Sequence, residues 1–172
     1  PACLFENPAG SKWPLFANAV STPDQAALAL SCEVQGITTV MEKALDLSQG
    51  IPVEETRQAA WQENTISRDE INLWDLPIPT HGLHDGGPFI TGGITVAKDP
   101  LTGRGNLSYN RMQILGPTTF GFNVNEWRHV MQFYKVQEKQ DKALEIAIAI
   151  GVDPAISIAA GARYEDDELM IA

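Results

Sequence analysis

The sequence predicts an α+β fold built on an antiparallel, barrel-like sheet with flanking helices. Short apolar runs punctuated by Gly, Pro, Asn and Asp outnumber the helical patterns, as expected where strands dominate. The helical patterns intervene at irregular intervals along the chain, the habit of an α+β domain. At 172 residues the chain is long enough for one domain with a real core and too short for two.

Residues 2–6 form an apolar run short enough for a buried strand, Asn7-Pro8-Ala9-Gly10-Ser11 is turn chemistry, and residues 13–20 supply the next strand. Thr22-Pro23-Asp24-Gln25 combines an N-cap, a proline at the first helical position and a glutamine three residues after the cap. Together they announce a helix to about residue 31. A second helix over residues 38–48 gathers Val40, Met41, Ala44, Leu45 and Leu47 with Ile37 largely on one side and stops at Gly50-Ile51-Pro52. Residues 57–66, with Trp61, suggest a strand, followed by a turn and a short apolar run; Pro77 and Pro79 exclude regular structure beyond it.

The central segment is the most informative. Ile90, Ile94 and Val96 alternate with smaller or polar residues, so residues 88–97 read as a strand, and Asp99-Pro100 with Thr102-Gly103 supplies the turn after it. A second strand over residues 105–115 carries Asn106, Ser108, Asn110 and Arg111 inside a β-prone run. Polar atoms at strand positions need partners, and Arg128 and His129 arrive soon afterwards at a helix start. A polar pocket between hairpin and helix is the reading that accommodates both. Residues 121–124 form a strand, Asn125 caps a helix over residues 126–138, and Trp127, Val130, Met131 and Tyr134 give that helix a core-facing stripe. Residues 144–150 read as a buried strand, and Asp153-Pro154 starts a short helix ending at Gly161. In the tail, residues 163–172, Glu165, Asp166 and Asp167 are expected in solvent, whereas Glu168 abuts the apolar Leu169-Met170-Ile171-Ala172. No internal repeat or low-complexity segment is present.

Composition narrows the function. The chain is 44% hydrophobic and 20% charged, and no apolar run approaches the ~20 residues of a membrane span; a soluble protein with a cytoplasmic location is expected. Its formal charge of −10 repels a phosphate backbone, so nucleic acid is excluded as a partner. Cys3 and Cys32 lack metal-ligand spacing and sit in apolar surroundings, as buried reduced thiols do. His81 and His84 lie in a glycine-rich stretch expected to be a mobile loop, and two histidines do not close a metal coordination shell. The chain starts at Pro1, without methionine, inside a strand-like run, as a piece of a longer protein would.

The segments PACLFENPAGSKWPLFANAVST, LPIPTHGLHDGGPFIT, KDPLTGRGNLSYNRMQ, GFNVNEWRH and IAIGVDPAISIAA resemble, in order and spacing over nearly the whole chain, the central cofactor-binding part of the UbiD family. These are reversible decarboxylases that use prenylated FMN. The resemblance sharpens the fold to the split β-barrel of flavin reductases and makes residues 1–172 a single prenylated-FMN-binding domain of a longer decarboxylase. It implies a divalent metal, Mn2+ or Mg2+, bridging the cofactor phosphate to Asn106, His129 and Glu168, with K+ as a further candidate ion. A hard dication suits a carbonyl and a carboxylate oxygen and tolerates one imidazole. Each of the three residues also has an ordinary structural role to fill; three matches in order point to the metal.

Arg111 matches the arginine placed over the reactive face of the flavin, where a guanidinium stays charged and holds a carboxylate by two parallel hydrogen bonds. Ser108, Tyr109 and Asn110 are expected to line the cofactor, with Arg128 beside His129. Asn106 and Arg111 have opposite parity on a flat strand, so a bulge near Ser108, or an edge turned to the flavin, is expected between them. Tyr109 and Asn110 stand where many relatives have isoleucine or glycine, and His81 and Gly82 where the family has tryptophan and histidine. The implied activity is decarboxylation of an aromatic or α,β-unsaturated acid: the cofactor carries the electrophilic step and an acid returns a proton to carbon. The family places that acid well past the position of Glu168, so this polypeptide alone is expected not to turn over. A homo-oligomer or a partner chain is expected through a segment outside this one. Two alternatives stay open: a split-barrel flavin reductase using ordinary FMN, which needs no such metal set, and a non-catalytic cofactor-binding subunit of a carboxylase complex.

Overall fold

A computed structural model describes residues 2–46, 54–56, 58–162 and 164–172. The chain opens with an antiparallel hairpin of β1 (Cys3–Phe5) and β2 (Leu15–Ala17), in which Leu4 faces Phe16. This hairpin is not the buried strand pair expected: Leu4, Phe5 and Phe16 are all more than half exposed, because the two strands pair only with each other. Cys3 and Cys32 are half-buried rather than buried, and no disulfide joins them.

Helix α1 (Pro23–Ala29) is capped as expected, Thr22 Oγ1 accepting from the Gln25 amide at 3.3 Å. The reciprocal half of the cap falls one residue early, Gln25 Oε1 accepting from Ser21 N at 2.8 Å and Ser21 Oγ at 2.9 Å. The helix stops short of residue 31 because Ser31 takes a left-handed conformation, φ 52°. Helix α2 (Ile37–Ala44) follows; its expected end at residue 48 and the stop at Gly50-Ile51-Pro52 lie outside the described residues. The strand expected over residues 57–66 is replaced, among the described residues, by a single 3-10 turn, Ala60–Gln62, and two more such turns follow at Arg68–Glu70 and Leu73–Asp75. The last is started by Asn72, whose Oδ1 accepts from the Trp74 amide at 3.2 Å.

Each long strand of the central segment divides in two. The first becomes β3 (Phe89–Ile90) and β4 (Ile94–Lys98); the second becomes β5 (Gly105–Tyr109) and β6 (Arg111–Gly116). With β7 (Thr119–Asn123) and β8 (Ile146–Ala149) they build two three-stranded antiparallel sheets, ordered β3-β6-β7 and β5-β4-β8. The chain therefore crosses between the same two sheets three times, after β3, after β5 and after β7. At the first crossing Gly93 is the close approach: a Cβ there would lie 2.8 Å from Ile90 Cγ2, 3.0 Å from Ile148 Cγ2 and 3.1 Å from Met112 Cε. At the second crossing the buried Asn110 replaces ladder bonds with side-chain ones, Nδ2 donating to Ser108 Oγ at 2.9 Å and Thr95 Oγ1 at 3.2 Å.

Ile90, Met112 and Ile114 form the core beneath the first sheet, and Ile94, Leu107 and Ala160 the core beneath the second. Ala97, Val130 and Phe133 join the second sheet to helix α3 (His129–Glu138). That helix starts later than residue 126: Arg128 N donates to Asn125 O at 3.1 Å, closing a turn, and Arg128 takes the extended N-cap conformation. Trp127 falls before the helix and is 69% exposed, while Phe133, absent from the expected stripe, is buried. Helix α4 (Pro154–Gly161) has its expected cap, Asp153 Oδ1 accepting from Ala155 N at 2.8 Å. The architecture is thus mixed helix and antiparallel sheet, and among the described residues the sheets do not close into one barrel. No described helix is long and apolar enough to cross a membrane.

Candidate functional site

Asn106, His129 and Glu168 meet, although 62 residues separate the first from the last. β5 carries Asn106, the first residue of α3 is His129, and the final 3-10 turn, Glu168–Ile171, begins with Glu168. Asn106 Nδ2 donates to Glu168 Oε1 at 2.9 Å and Oε2 at 3.1 Å, and lies 3.3 Å from His129 Nδ1. Leu107 N donates to Glu168 Oε2 at 2.8 Å. The His129 ring is held from behind by stacking on Phe133, centroids 6.3 Å apart.

Two features set this group apart from a structural cluster. Asn106 and Glu168 are only 3% and 4% exposed, and the described donors that reach the carboxylate, a side-chain amide and a backbone N–H, are both neutral. Burying a carboxylate in this way is costly unless a cation joins it. Asn106 Oδ1 is also buried without a hydrogen-bond partner, and such a group calls for an explanation. Rotating the Asn106 amide turns Oδ1 in place of Nδ2 toward Glu168 and His129, and a carbonyl oxygen, a carboxylate and an imidazole are then the donor set a hard divalent cation accepts. Among the described residues no three His, Cys, Asp or Glu side chains are gathered in one place, so the amide oxygen is essential to that fit.

Beside the trio opens a cleft of about 330 Å³, lined by Thr91, Tyr109, Asn110, Arg111, Asn123, Asn125 and Arg128. It stands where the strands cross between sheets, so β5, β6 and the turn before α3 all contribute. The exposed Arg111 opens β6 opposite Asn123 of β7. The Arg128 guanidinium lies 5.1 Å from the Trp127 ring centroid, a cation–π contact at its charged end. Ser108 is buried behind the lining, its hydroxyl committed to Asn110.

The bulge expected near Ser108 as one way to reconcile the parity of Asn106 and Arg111 is absent. β5 pairs with β4 residue for residue, Ser108 opposite Thr95, without a bulge. The change of face comes at Asn110, where the strand leaves one sheet for the other. Thr91, Asn123 and Asn125 line the cleft and were missed. Asn123 and Asn125 flank the end of β7, and clustered polar side chains at a strand end were the available signal. His81 belongs to the rim, its Nε2 lying 3.4 Å from Thr91 Oγ1, whereas His84 joins no such contact among the described residues. The loop between them is tied down by Gly82 N to Asp85 Oδ2, 2.8 Å, and Gln113 Nε2 to Gly86 O, 2.8 Å.

Known proteins share this fold. The UbiD description, 3-octaprenyl-4-hydroxybenzoate carboxy-lyase Rift-related domain, matches residues 53–172. Anhydromevalonate phosphate decarboxylase of Methanothermobacter thermautotrophicus is 32% identical over 91% of this chain and 35% of its own length. An evolved dimeric form of the UbiD-class enzyme HmfF from Pelotomaculum thermopropionicum, in complex with prFMN, superposes with a TM-score of 0.91 at 35% identity, over 99% of this chain and 40% of that one. Vanillic acid decarboxylase of Sedimentibacter hydroxybenzoicus, in closed form, gives 0.89 at 26% identity, over 99% and 38%. The chain therefore spans between 35% and 40% of the length of these relatives. With the family description covering most of the sequence, and the fold matched from end to end, the chain belongs to the UbiD family.

Proposed function

We propose that this chain is the cofactor-binding part of a decarboxylase that reversibly removes carbon dioxide from an aromatic or α,β-unsaturated carboxylic acid, using prenylated FMN and one Mn2+ or Mg2+. The observation that carries the reading is the meeting of Asn106, His129 and Glu168 through the Asn106 Nδ2, with Asn106 Oδ1 left buried and unpartnered, next to an arginine-bearing cleft. Asn106, His129 and Glu168 would hold the metal and, through it, the cofactor phosphate; Arg128 adds positive charge at the adjoining turn. Bound prenylated FMN supplies an electrophile for decarboxylation.

The chain's own part is to bind and orient. Tyr109 and Asn110 line the cleft and bound its shape. Arg111, exposed at the cleft, offers two parallel N–H groups to a substrate carboxylate. Two sheets between which the chain passes repeatedly, with adjoining cores, support the split-barrel reading of the fold. The relatives' dimeric and multi-chain forms support association with a second copy or a partner chain.

Titrating the chain, loaded with prenylated FMN and Mn2+, with cinnamic and hydroxybenzoic acids tests the proposal. Saturable changes in the cofactor spectrum with one class of acid are expected. Metal-independent reduction of bound FMN by a nicotinamide, with no response to any acid, would favour a flavin reductase instead.

A further inference from the structure

We infer that Gly105 and Asp167 form a latch that seats Glu168 against Asn106, making both positioning residues for the metal site; the inference rests on the metal reading above. β5 is an edge strand of its sheet, so its outward N–H groups lack a strand partner. One of them, Leu107 N, donates instead to Glu168 Oε2 at 2.8 Å. The carboxylate reaches it only if the tail lies close along the start of β5, and Gly105 permits that. A Cβ at Gly105 would lie 2.8 Å from Asp167 Cγ and 2.9 Å from Oδ1, and closer still to Oδ2.

Asp167 does the complementary work. Its Oδ1 accepts from Leu169 N at 3.0 Å and starts the final turn. The turn sends Leu169 into the cluster of Ile94, Leu107 and Ala160, leaving Glu168 directed at Asn106 and the Leu107 amide. On the approach, Arg104 Nη1 donates to Glu165 O at 2.6 Å and ties the tail to the same end of β5. The acidic run is therefore divided: Glu165 and Asp166 are in solvent, Asp167 is the half-buried latch and Glu168 is buried.

The test measures two quantities on the wild-type chain and on Gly105→Ala, Asp167→Ala, Asp167→Asn and the double variant Gly105→Ala/Asp167→Ala. Hydrogen exchange at the Leu107 amide reports the Glu168 seat without metal, and Mn2+ affinity by electron paramagnetic resonance reports the site. Gly105→Ala should accelerate Leu107 exchange and weaken Mn2+ binding by about tenfold or more, while Val96 and Ala147, paired across the neighbouring β4–β8 ladder, keep their protection. Asp167→Asn, which retains the acceptor, should stay near wild type. The double variant, in which the clashing carboxylate is gone, should be no worse than Asp167→Ala alone, and it serves if Gly105→Ala does not fold. Unchanged Leu107 exchange in Gly105→Ala, or losses that multiply in the double variant, would overturn the latch. If wild type binds no Mn2+ yet Leu107 exchange still responds, the metal reading fails and the latch stands. If wild type binds Mn2+ and Gly105→Ala changes neither quantity, the latch alone fails.

Discussion

Replacing Glu168 by glutamine should stabilise the metal-free protein while disabling the site. In the present arrangement the buried carboxylate faces neutral described donors and Asn106 Oδ1 has no partner. The introduced amide removes the buried charge. If the Asn106 amide rotates, its carbonyl accepts from the new NH2 group, while the new carbonyl keeps the Leu107 N–H. That rotation carries Nδ2 into the position Oδ1 leaves, so it exchanges one unpartnered buried group for another and contributes little. Relief of the buried charge, several kcal/mol in magnitude, outweighs the conversion of charge-assisted hydrogen bonds to neutral ones, each losing about 1 kcal/mol. The net expectation is about 2 kcal/mol in favour of Glu168→Gln. In urea, with a slope of about 2 kcal/mol/M, that raises the unfolding midpoint by about 1 M. The assay is paired urea unfolding in excess chelator and in Mn2+. Mn2+ at a hundred times its dissociation constant should add about 2.7 kcal/mol to wild type and nothing to the variant. A fall in the variant's midpoint in chelator would refute the reasoning, because Glu168 would then be a structural carboxylate rather than a ligand held at a cost to stability.

Arg111→Lys should weaken carboxylate binding to the cofactor-loaded protein by about 10- to 100-fold, the worth of one charge-assisted hydrogen bond, as measured by spectral titration; an unchanged affinity would remove Arg111 from the site. Gly93→Ala should lower stability by about 1–3 kcal/mol through overpacking against Ile90, Ile148 and Met112, read by thermal unfolding. The Leu101 N–H, first among several hydrogen bonds, holds the Asp99 carboxyl below the ordinary aspartate value. Because the folded value is depressed, its contribution to the β4–β5 turn is fully present above about pH 3.9 and is lost as pH falls through the lower folded value. Asp99→Asn should flatten that part of an acid unfolding profile.

How much of this was legible in the sequence depended on the range of the interaction involved. The caps at Thr22 and Asp153 are local chemistry and formed where the residues announced them. The break of each central strand was not legible, because it is set by Gly93 meeting Ile148 and by Asn110 reaching Thr95, contacts that periodicity within one run does not contain. Residues 57–66 offered only Trp61, Thr65 and Ile66 as β-prone side chains among strand-poor Ala, Glu and Asn, and no strand pairs with them among the described residues. Trp127 illustrates the same limit: a large apolar residue one turn before Val130 suggests a helix face, yet the Asn125–Arg128 turn delays the helix and leaves the ring outside. The trio was found through the family resemblance, and its geometry adds what no motif could supply: the unpartnered Asn106 oxygen and the docking of the tail on β5.

Equilibrium dialysis of FMN against the chain, with Mn2+ and with chelator, for wild type and Glu168→Gln, tests the central claim most directly. The account predicts that wild type retains flavin with Mn2+, loses most of it in chelator, and that Glu168→Gln retains little under either condition. Equal retention by wild type with and without chelator would contradict it, since Asn106, His129 and Glu168 would then hold no metal on which the cofactor depends.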